Sequence, residues 1–117
     1  MISIDDFRKI AMALPEVTES LHFDKPSFRV KNKIFSTIHT DTKRAMVKLS
    51  LVEQSVFSDI DKSIIYPVPG GWGRQGATFI ELSKVKKQIV KEALEAAWLQ
   101  VAPKILQKKY FPGKINA

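Results

Sequence analysis

Cysteine is absent from this 117-residue chain, and its absence excludes several kinds of site. Disulfide frameworks, thiolate zinc sites, iron–sulfur clusters and cysteine nucleophiles all need a residue that the chain does not have. Long apolar segments are missing too, because no stretch approaches the roughly 18 residues of a membrane-spanning helix. The first residues show no basic segment followed by an apolar run. We therefore expect a cytoplasmic protein that does not enter a membrane.

Patterns typical of catalysis are also scarce. The chain has neither the G-x-S-x-G turn of a serine hydrolase nor the helical H-E-x-x-H of a zinc protease. Each of the two histidines begins an H-x-D triplet, at His22 and at His39, but no third ligand follows at a spacing that would complete a metal site. The sequence predicts a protein that is not an enzyme and that holds no metal or cofactor.

The composition is that of a folded domain, with 44% hydrophobic and 26% charged residues. A chain of this length fits one domain. We place that domain at residues 1–106, where Pro103 ends or bends the last helix. Residues 107–117 are expected to form a basic, flexible tail.

Positive charge is concentrated in two segments of the chain. Lysine and arginine number 19 against 12 aspartates and glutamates, which gives a formal net charge of +7. Residues 24–48 hold seven basic and two acidic side chains, and residues 84–117 hold eight and two. Such clustering is typical of polyanion binding, because neutralised phosphates release condensed counterions. The alternative interpretation is solvation of a small basic domain.

Capping patterns and hydrophobic periodicity predict the elements. Ser3 with Asp6 and Ser50 with Glu53 match the capping box ahead of two helices, and Ser83 is expected to cap a long last helix. Short β-rich runs separated by turn residues predict antiparallel strands between the helices. The order α-β(3)-α-β(2)-α predicts an α+β fold, a two-layer sandwich in which an antiparallel sheet of about five strands packs against helices.

Two local predictions can be checked directly. Lys31-Asn32 between two β-rich runs predicts a tight hairpin. The second helix is expected to turn its apolar side chains inward, namely Val52, Val56, Phe57 and Ile60.

Basic residues alternate with other side chains along the predicted strands, so one face of the sheet is expected to be apolar and the other to carry Arg and Lys. The neighbouring aromatics Phe23, Phe28 and Phe35 are expected mostly inside, against the helices. The cations would then bind a nucleic-acid backbone. The candidates are Lys25, Arg29, Lys31, Lys33, Arg44 and Lys48.

A glycine-rich segment from Gly71 to Gly76 spells G-x-G-x-x-G without being a dinucleotide site. That fingerprint requires a helix after the glycines, whereas the residues from Ala77 onward read as a strand. We predict a glycine-rich β-hairpin instead. Trp72 in this loop either folds back onto the sheet or is presented for stacking on a base. Arg74 beside it either pairs with a phosphate or is solvated.

Five segments, in the same order along the chain, resemble the bacterial YjbR/MmcQ family. They are Leu14-Pro15-Glu16-Val17-Thr18-Glu19; His22-Phe23 with Lys25-Pro26-Ser27-Phe28-Arg29-Val30; Lys33-Ile34-Phe35 through His39; Gly70-Gly71-Trp72-Gly73-Arg74; and Ala97-Trp98 with Val101-Ala102-Pro103-Lys104. The resemblance covers about residues 1–106. Asp24 and Ala77 depart from the family pattern.

The resemblance implies a two-layer α/β fold similar to that of secretion chaperones and of the frataxin homologue CyaY. Members of the family are described as predicted DNA-binding proteins, a description that rests on fold likeness. If the K-P-S-F-R segment and the G-G-W-G-R loop lie side by side, they form one polar, cationic patch with a single exposed ring. Its members would be His22, Lys25, Ser27, Arg29, Trp72 and Arg74.

The sequence thus predicts non-enzymatic binding of nucleic acid, DNA above all, through backbone phosphates and with little readout of sequence. A protein-interaction or chaperone-like module is one alternative. A binder of a phosphorylated small molecule, which would use Trp72 and Arg74, is another. In a third interpretation these residues only fix the hairpin.

Overall fold

Helices and strands follow one another close to the predicted order. The structure is a computed structural model that describes residues 1–114. Within those residues the elements are α1 (Ile4–Met12), β1 (Val17–His22), β2 (Lys25–Val30), β3 (Lys33–His39), β4 (Arg44–Lys48), α2 (Leu51–Ile60), β5 (Ile65–Pro67), α3 (Gly71–Arg74), β6 (Ala77–Glu81), α4 (Lys87–Val101), α5 (Lys104–Tyr110) and a 3₁₀ turn at Pro112–Lys114.

Two of the three predicted helix caps are confirmed. The Ser3 hydroxyl accepts the backbone N–H of Asp6 at 3.0 Å, and the Ser50 hydroxyl accepts that of Glu53 at 3.1 Å. The Ser83 cap is wrong, because α4 begins only at Lys87 and has no side-chain cap. A turn comes first, in which the Glu81 carbonyl accepts the N–H groups of the residues at 84 and 85.

The strands form one antiparallel sheet in the order β1-β2-β3-β4-β6-β5. The predicted Lys31-Asn32 hairpin is confirmed, since Val30 pairs with Lys33 and the two loop residues have φ of 50° and 65°. Positive φ at both loop residues is the type I′ geometry that matches the twist of the flanking strands. The α+β class and the two-layer arrangement are therefore as predicted.

The sheet has six strands rather than about five. The extra strand is β1, of which the sequence indicated only the end, in a predicted β-rich run at Leu21–Phe23 that overlaps its last two residues. All of β1 after Val17 is exposed, since it lies at the edge of the sheet. An exposed edge strand needs no apolar alternation, so the pattern that reveals a buried strand is missing from it.

Helices α1 and α4 cover one face of the sheet and enclose the core. Phe7 of α1 meets Phe28 of β2 edge to face, with ring centroids 6.2 Å apart. Trp98 of α4 is fully buried, and its indole N–H donates to the Pro15 carbonyl at 2.9 Å. Phe28 and Phe35 lie in this core as expected, whereas Phe23 is exposed. We call this side of the sheet the covered face.

Three of the four residues predicted to face inward on the second helix face outward instead. Val52, Val56 and Ile60 are each more than half exposed, whereas Phe57 is partly buried against the core as predicted. The buried residues are Gln54 and Ser58. The reason is a set of hydrogen bonds that periodicity does not show. Because the Gln54 amide donates into the segment around α3 and β6, the polar side of α2 faces the protein.

The segment after residue 106 also differs from the prediction over its described part. Helix α5 runs through the predicted boundary to Tyr110, whose hydroxyl donates to Glu16 at 2.9 Å. The ring of Phe111 lies 5.2 Å from that of Trp98. Aromatic contacts with the core thus hold this segment in place, and the predicted break at Pro103 separates α4 from α5. Residues 115–117 of the predicted tail lie outside the described residues.

Among the described residues, no helix is both long and apolar enough to cross a lipid bilayer.

Candidate functional site

The face of the sheet opposite α1 and α4 carries the candidate site. Residues directly opposite each other on antiparallel strands share a face, so the strand register assigns each side chain to one side. One row across the sheet joins Ser27, Thr37, Met46, Phe79 and Tyr66. The side chains in this row lie on the face away from α1 and α4, which we call the open face.

A groove of about 420 Å³ runs across the open face. This is within the size range of ligand sites, about 300–1,000 Å³. Most of its lining is apolar, contrary to the polar patch expected from the sequence. We call it the open-face groove, and its lining residues are His22, Phe23, Lys25, Ile34, Thr37, His39, Met46, Lys48, Val68, Trp72, Ala77 and Phe79.

Two exposed aromatic rings line the groove, where the sequence predicted one. Phe23 is 87% exposed in the two-residue turn between β1 and β2. Trp72 is 71% exposed on α3. Of the two alternatives for this residue, its side chain therefore does not fold back onto the sheet but remains accessible from solvent. Phe23 is the exception to the expectation that most of the three phenylalanines lie inside, because a hairpin tip has no covering helix to pack against.

The turn that carries Trp72 is held by close backbone packing. The Gln54 amide group donates to the carbonyl of Gly73 at 2.9 Å and to the hydroxyl of Thr78 at 3.1 Å. A β-carbon on Gly73 would lie 1.8 Å from the Val68 carbonyl oxygen, so only glycine fits there. The segment expected as a plain hairpin loop therefore contains a short helical turn in a fixed position, and β6 follows it as predicted.

Four of the predicted cations lie on the open face by register. Lys25 and Lys48 line the groove, and the Lys25 ammonium also lies 3.4 Å from the exposed carboxylate of Asp24. Arg29 is half-buried and donates to the Ser27 hydroxyl at 3.4 Å. Ser27 itself is buried and donates to the Ser20 carbonyl, so it orients Arg29 rather than lining the groove.

Arg44, the fourth of these cations, does not line the groove itself but lies against Phe79, which does. Its guanidinium donates to the Tyr66 hydroxyl at 3.3 Å and to the Thr42 hydroxyl at 3.2 Å, and it lies 4.1 Å from the centre of the Phe79 ring. The Tyr66 hydroxyl donates in turn to Glu81. Burial and the Glu81 carboxylate raise the pKa of Tyr66. Arg44 therefore adds positive charge beside the groove, where it contacts the Phe79 ring.

Besides Ser27, Arg29 and Arg44, three more predicted site residues do not line the groove. Lys31 lies in the β2–β3 turn, 3.4 Å from the Glu16 carboxylate. Lys33 pairs with the buried Val30, which places it by register on the side of the covered face, where it is exposed at the end of the strand. Arg74 is exposed on α3 and does not line the groove.

His39 lies in the wall of the groove. From the sequence it was a candidate only as a metal ligand. Its ring meets Phe79 edge to face, with centroids 5.2 Å apart. Burial, followed by the positive charges of Lys25 and Arg44, lowers the pKa of His39 below its ordinary value of 6.5. The imidazole is therefore mostly uncharged at neutral pH. No three His, Asp or Glu side chains among residues 1–114 come together as a metal site would require.

The apolar residues that form the floor of the groove were not predicted from the sequence, although the sequence contains a signal for them. Arg44, Met46 and Lys48 alternate along β4, so Met46 shares the face of the two cations. The same rule puts Phe79 and Ala77 of β6 on that face. When the residues that face one another across neighbouring strands are considered together with the cations, the sequence indicates an apolar strip between positive side chains.

Comparison with known proteins agrees with the resemblance seen in the sequence. The family model described as YjbR matches residues 12–100. A crystal structure of Deinococcus radiodurans protein DR2400, with the family-model domain DUF419, is similar with a TM-score of 0.77 and 20% sequence identity. The alignment covers 93% of this chain and 88% of that one, and at this identity it shows the shared fold alone. No curated protein matches the chain in sequence.

Proposed function

This chain belongs to the YjbR family, and from that premise we propose that it is a non-enzymatic protein that binds nucleic acid, DNA above all, on its open face. Binding is through backbone phosphates, with little readout of sequence. The proposal places the protein in the cytoplasm, where nucleic acid is available to it.

The observation that carries the proposal is the collection of cations around one groove. The sheet register puts Lys25 and Arg29 of β2 on the same face as Arg44 and Lys48 of β4. The acidic side chain that the strands place there, Glu81, is bound by Tyr66. A concave surface lined by one sign of charge raises the local concentration of a polyanion.

Low sequence specificity follows from the types of side chain involved. Lysines bind phosphates as point charges, and phosphate contacts fix position without reading bases. Direct readout in the major groove requires a helix or ribbon that offers Arg, Asn or Gln to base edges. On this face Arg44 is already bonded to Tyr66 and Thr42, and Arg29 is bonded to Ser27.

The test is fluorescence anisotropy of a labelled DNA oligonucleotide with the wild type, with Lys25→Ala/Lys48→Ala, and with the control Lys87→Ala/Lys91→Ala. The control removes equal charge from α4, which packs on the covered face. We expect wild-type affinity to fall about tenfold or more between about 50 and about 200 mM salt. The groove variant should bind more weakly, and its salt slope should fall by about 1 per lysine.

Two outcomes would contradict the proposal. Loss of affinity in the α4 variant alone would move the interface to the other side of the molecule. Absence of any binding at low salt would exclude nucleic acid as the ligand.

A second candidate function is recognition of an apolar protein segment. The exposed side of α2, with Val52, Val56 and Ile60, favours it, since exposed apolar patches often mark protein contacts. In this case the protein would bind no oligonucleotide but would retain apolar peptides from an immobilised array. A Val56→Asp variant should then lose the peptides.

A further inference from the structure

We infer that the ligand of the open-face groove is single-stranded nucleic acid, whose unpaired bases stack on the rings of Phe23 and Trp72. This inference rests on the proposed function and narrows it from nucleic acid in general to unpaired strands.

The first argument is the backbone of Phe23. The β1–β2 turn has two residues, since His22 pairs with Lys25, and Phe23 stands in it with φ of +58°. A left-handed conformation is strained for a bulky side chain and free for glycine. Such strain persists where the surrounding structure enforces it, and it is concentrated at functional sites.

Packing does not account for this strained phenylalanine. The ring is 87% exposed, and its aromatic neighbour is the exposed His22, with centroids 4.7 Å apart. A turn at this position would form more readily with glycine, so stability does not explain the aromatic. The aromatic is explained if the ring offers a flat apolar surface to a ligand at the rim of the groove.

The second argument is the rigid presentation of Trp72. Its ring is 71% exposed, yet the turn that carries it is fixed by Gln54 and by the tight contact of Gly73 with Val68. An exposed ring on a fixed support loses little conformational freedom when a ligand stacks on it. Two such rings, from separate parts of the chain, line the same groove.

The third argument is the distribution of polarity in the groove. The floor between the rings is apolar, with Ile34, Met46 and Phe79, while Lys25 and Lys48 also reach the lining. Single-strand binding uses this combination, in which cations follow the backbone and aromatic rings accept the faces of bases. A duplex hides its base faces within the stack, so the rings and the floor would have no partner in it.

The same chemistry is offered by unpaired DNA and unpaired RNA, which differ by the 2′-hydroxyl. The experiment therefore compares four labelled probes of equal length, about ten nucleotides each, within the usual site size. They are oligothymidylate, an oligouridylate whose bases carry the same 5-methyl group as thymine, a mixed-sequence duplex, and an abasic DNA strand that keeps the phosphates but has no bases. Affinities are measured at about 50 mM salt for the wild type and two kinds of variant.

The variants separate stacking from charge. Phe23→Gly/Trp72→Ala removes both rings and keeps every cation, whereas Lys25→Ala/Lys48→Ala keeps both rings and removes the two lysines that line the groove. Ile105→Ala is the control for loss of an exposed apolar side chain outside the groove. Thermal unfolding of each variant shows whether it is folded. Intrinsic fluorescence reports stacking directly, because Trp98 is buried and Trp72 is the exposed emitter.

We expect the wild type to bind oligothymidylate or oligouridylate about tenfold more tightly than the abasic strand or the duplex, with quenching of Trp72. The ring variant should bind the base-bearing and abasic strands alike. The lysine variant should bind all probes more weakly. Whichever of the two base-bearing strands binds more tightly identifies DNA or RNA as the source.

Equal binding of the base-bearing and abasic strands by the wild type, or tighter binding of the duplex, overturns the inference and leaves the proposed function standing. An unchanged affinity of the folded ring variant for oligothymidylate and oligouridylate also overturns it. No binding of any probe overturns the proposed function itself.

Discussion

The core on the covered face and the rim of the open-face groove use aromatic side chains in opposite ways. On the covered face Phe28, Phe35 and Trp98 are fully buried, and Trp98 also gains a hydrogen-bond partner in Pro15. At the open face Phe23 and Trp72 remain mostly in solvent. The contrast indicates that the covered face stabilises the domain, while the open face keeps apolar surface available for a ligand.

The largest expected effect is a difference in the free energy of unfolding between variants of the two tryptophans, one on each side of this comparison. Trp98→Ala should lower the free energy of unfolding by about 3–5 kcal/mol, because it leaves a cavity and an unpaired carbonyl in the core. Trp72→Ala should change it by less than about 0.5 kcal/mol, as is usual for an exposed side chain. Urea unfolding of both variants measures the difference. Comparable losses would mean that Trp72 belongs to the core.

The next effect concerns the support of Trp72. Gly73→Ala should cost about 1–3 kcal/mol, since its β-carbon would overlap the Val68 carbonyl and force the turn to move. Gly71→Ala is the matched control in the same turn, where the nearest atom beyond its immediate neighbours is a flexible Arg74 nitrogen at 3.8 Å. Thermal unfolding compares the two. If the variants were equally stable, the turn would not be fixed by that contact.

A smaller effect should have the opposite sign. Phe23→Gly relieves a positive φ without losing buried surface, so the free energy of unfolding should stay constant or rise by up to about 1 kcal/mol. Leu21→Gly, at an exposed position within β1, should instead lose about 0.5–1 kcal/mol. Urea unfolding resolves the two signs. A clear loss of stability in Phe23→Gly would show that the ring packs in the folded state.

The smallest effect is a pH dependence at the groove wall. The pKa of His39 is lowered in the folded protein, so the unfolded chain takes up the proton first as the pH falls below 6.5. The contribution of His39 to stability is therefore present above that pH and is lost as the pH falls through the lowered pKa. His39→Gln should flatten this loss in unfolding experiments between about pH 8 and pH 5. An unchanged pH profile would place the imidazole in solvent.

The elements that depend on local physics were predictable. The caps at Ser3 and Ser50 and the Lys31-Asn32 hairpin involve residues within a few positions of one another. Alternation along β4 likewise placed Arg44 and Lys48 on the face away from the core. These features follow from backbone geometry with a period of two or of about four residues.

The features that were missed depend on contacts between distant segments. The orientation of α2 is set by Gln54, which reaches across about twenty residues to Gly73 and Thr78. Hydrophobic periodicity assigned the apolar side of that helix to the core, and hydrogen bonds decided otherwise. Phe23 is the exposed one of three phenylalanines of which most were expected inside, because its place in a two-residue turn left nothing to cover it.

The sequence by itself determined the α+β class, the antiparallel strands, the family and the charge that gathers on β2 and β4, because these rest on local periodicity, turn chemistry and motif order. Only the tertiary structure decided how α2, α3 and the β1–β2 turn lie against the sheet. This arrangement turned two aromatic residues outward and made an apolar groove between cations. It depends on the joint packing of helices and strands far apart in the chain, which no local pattern encodes.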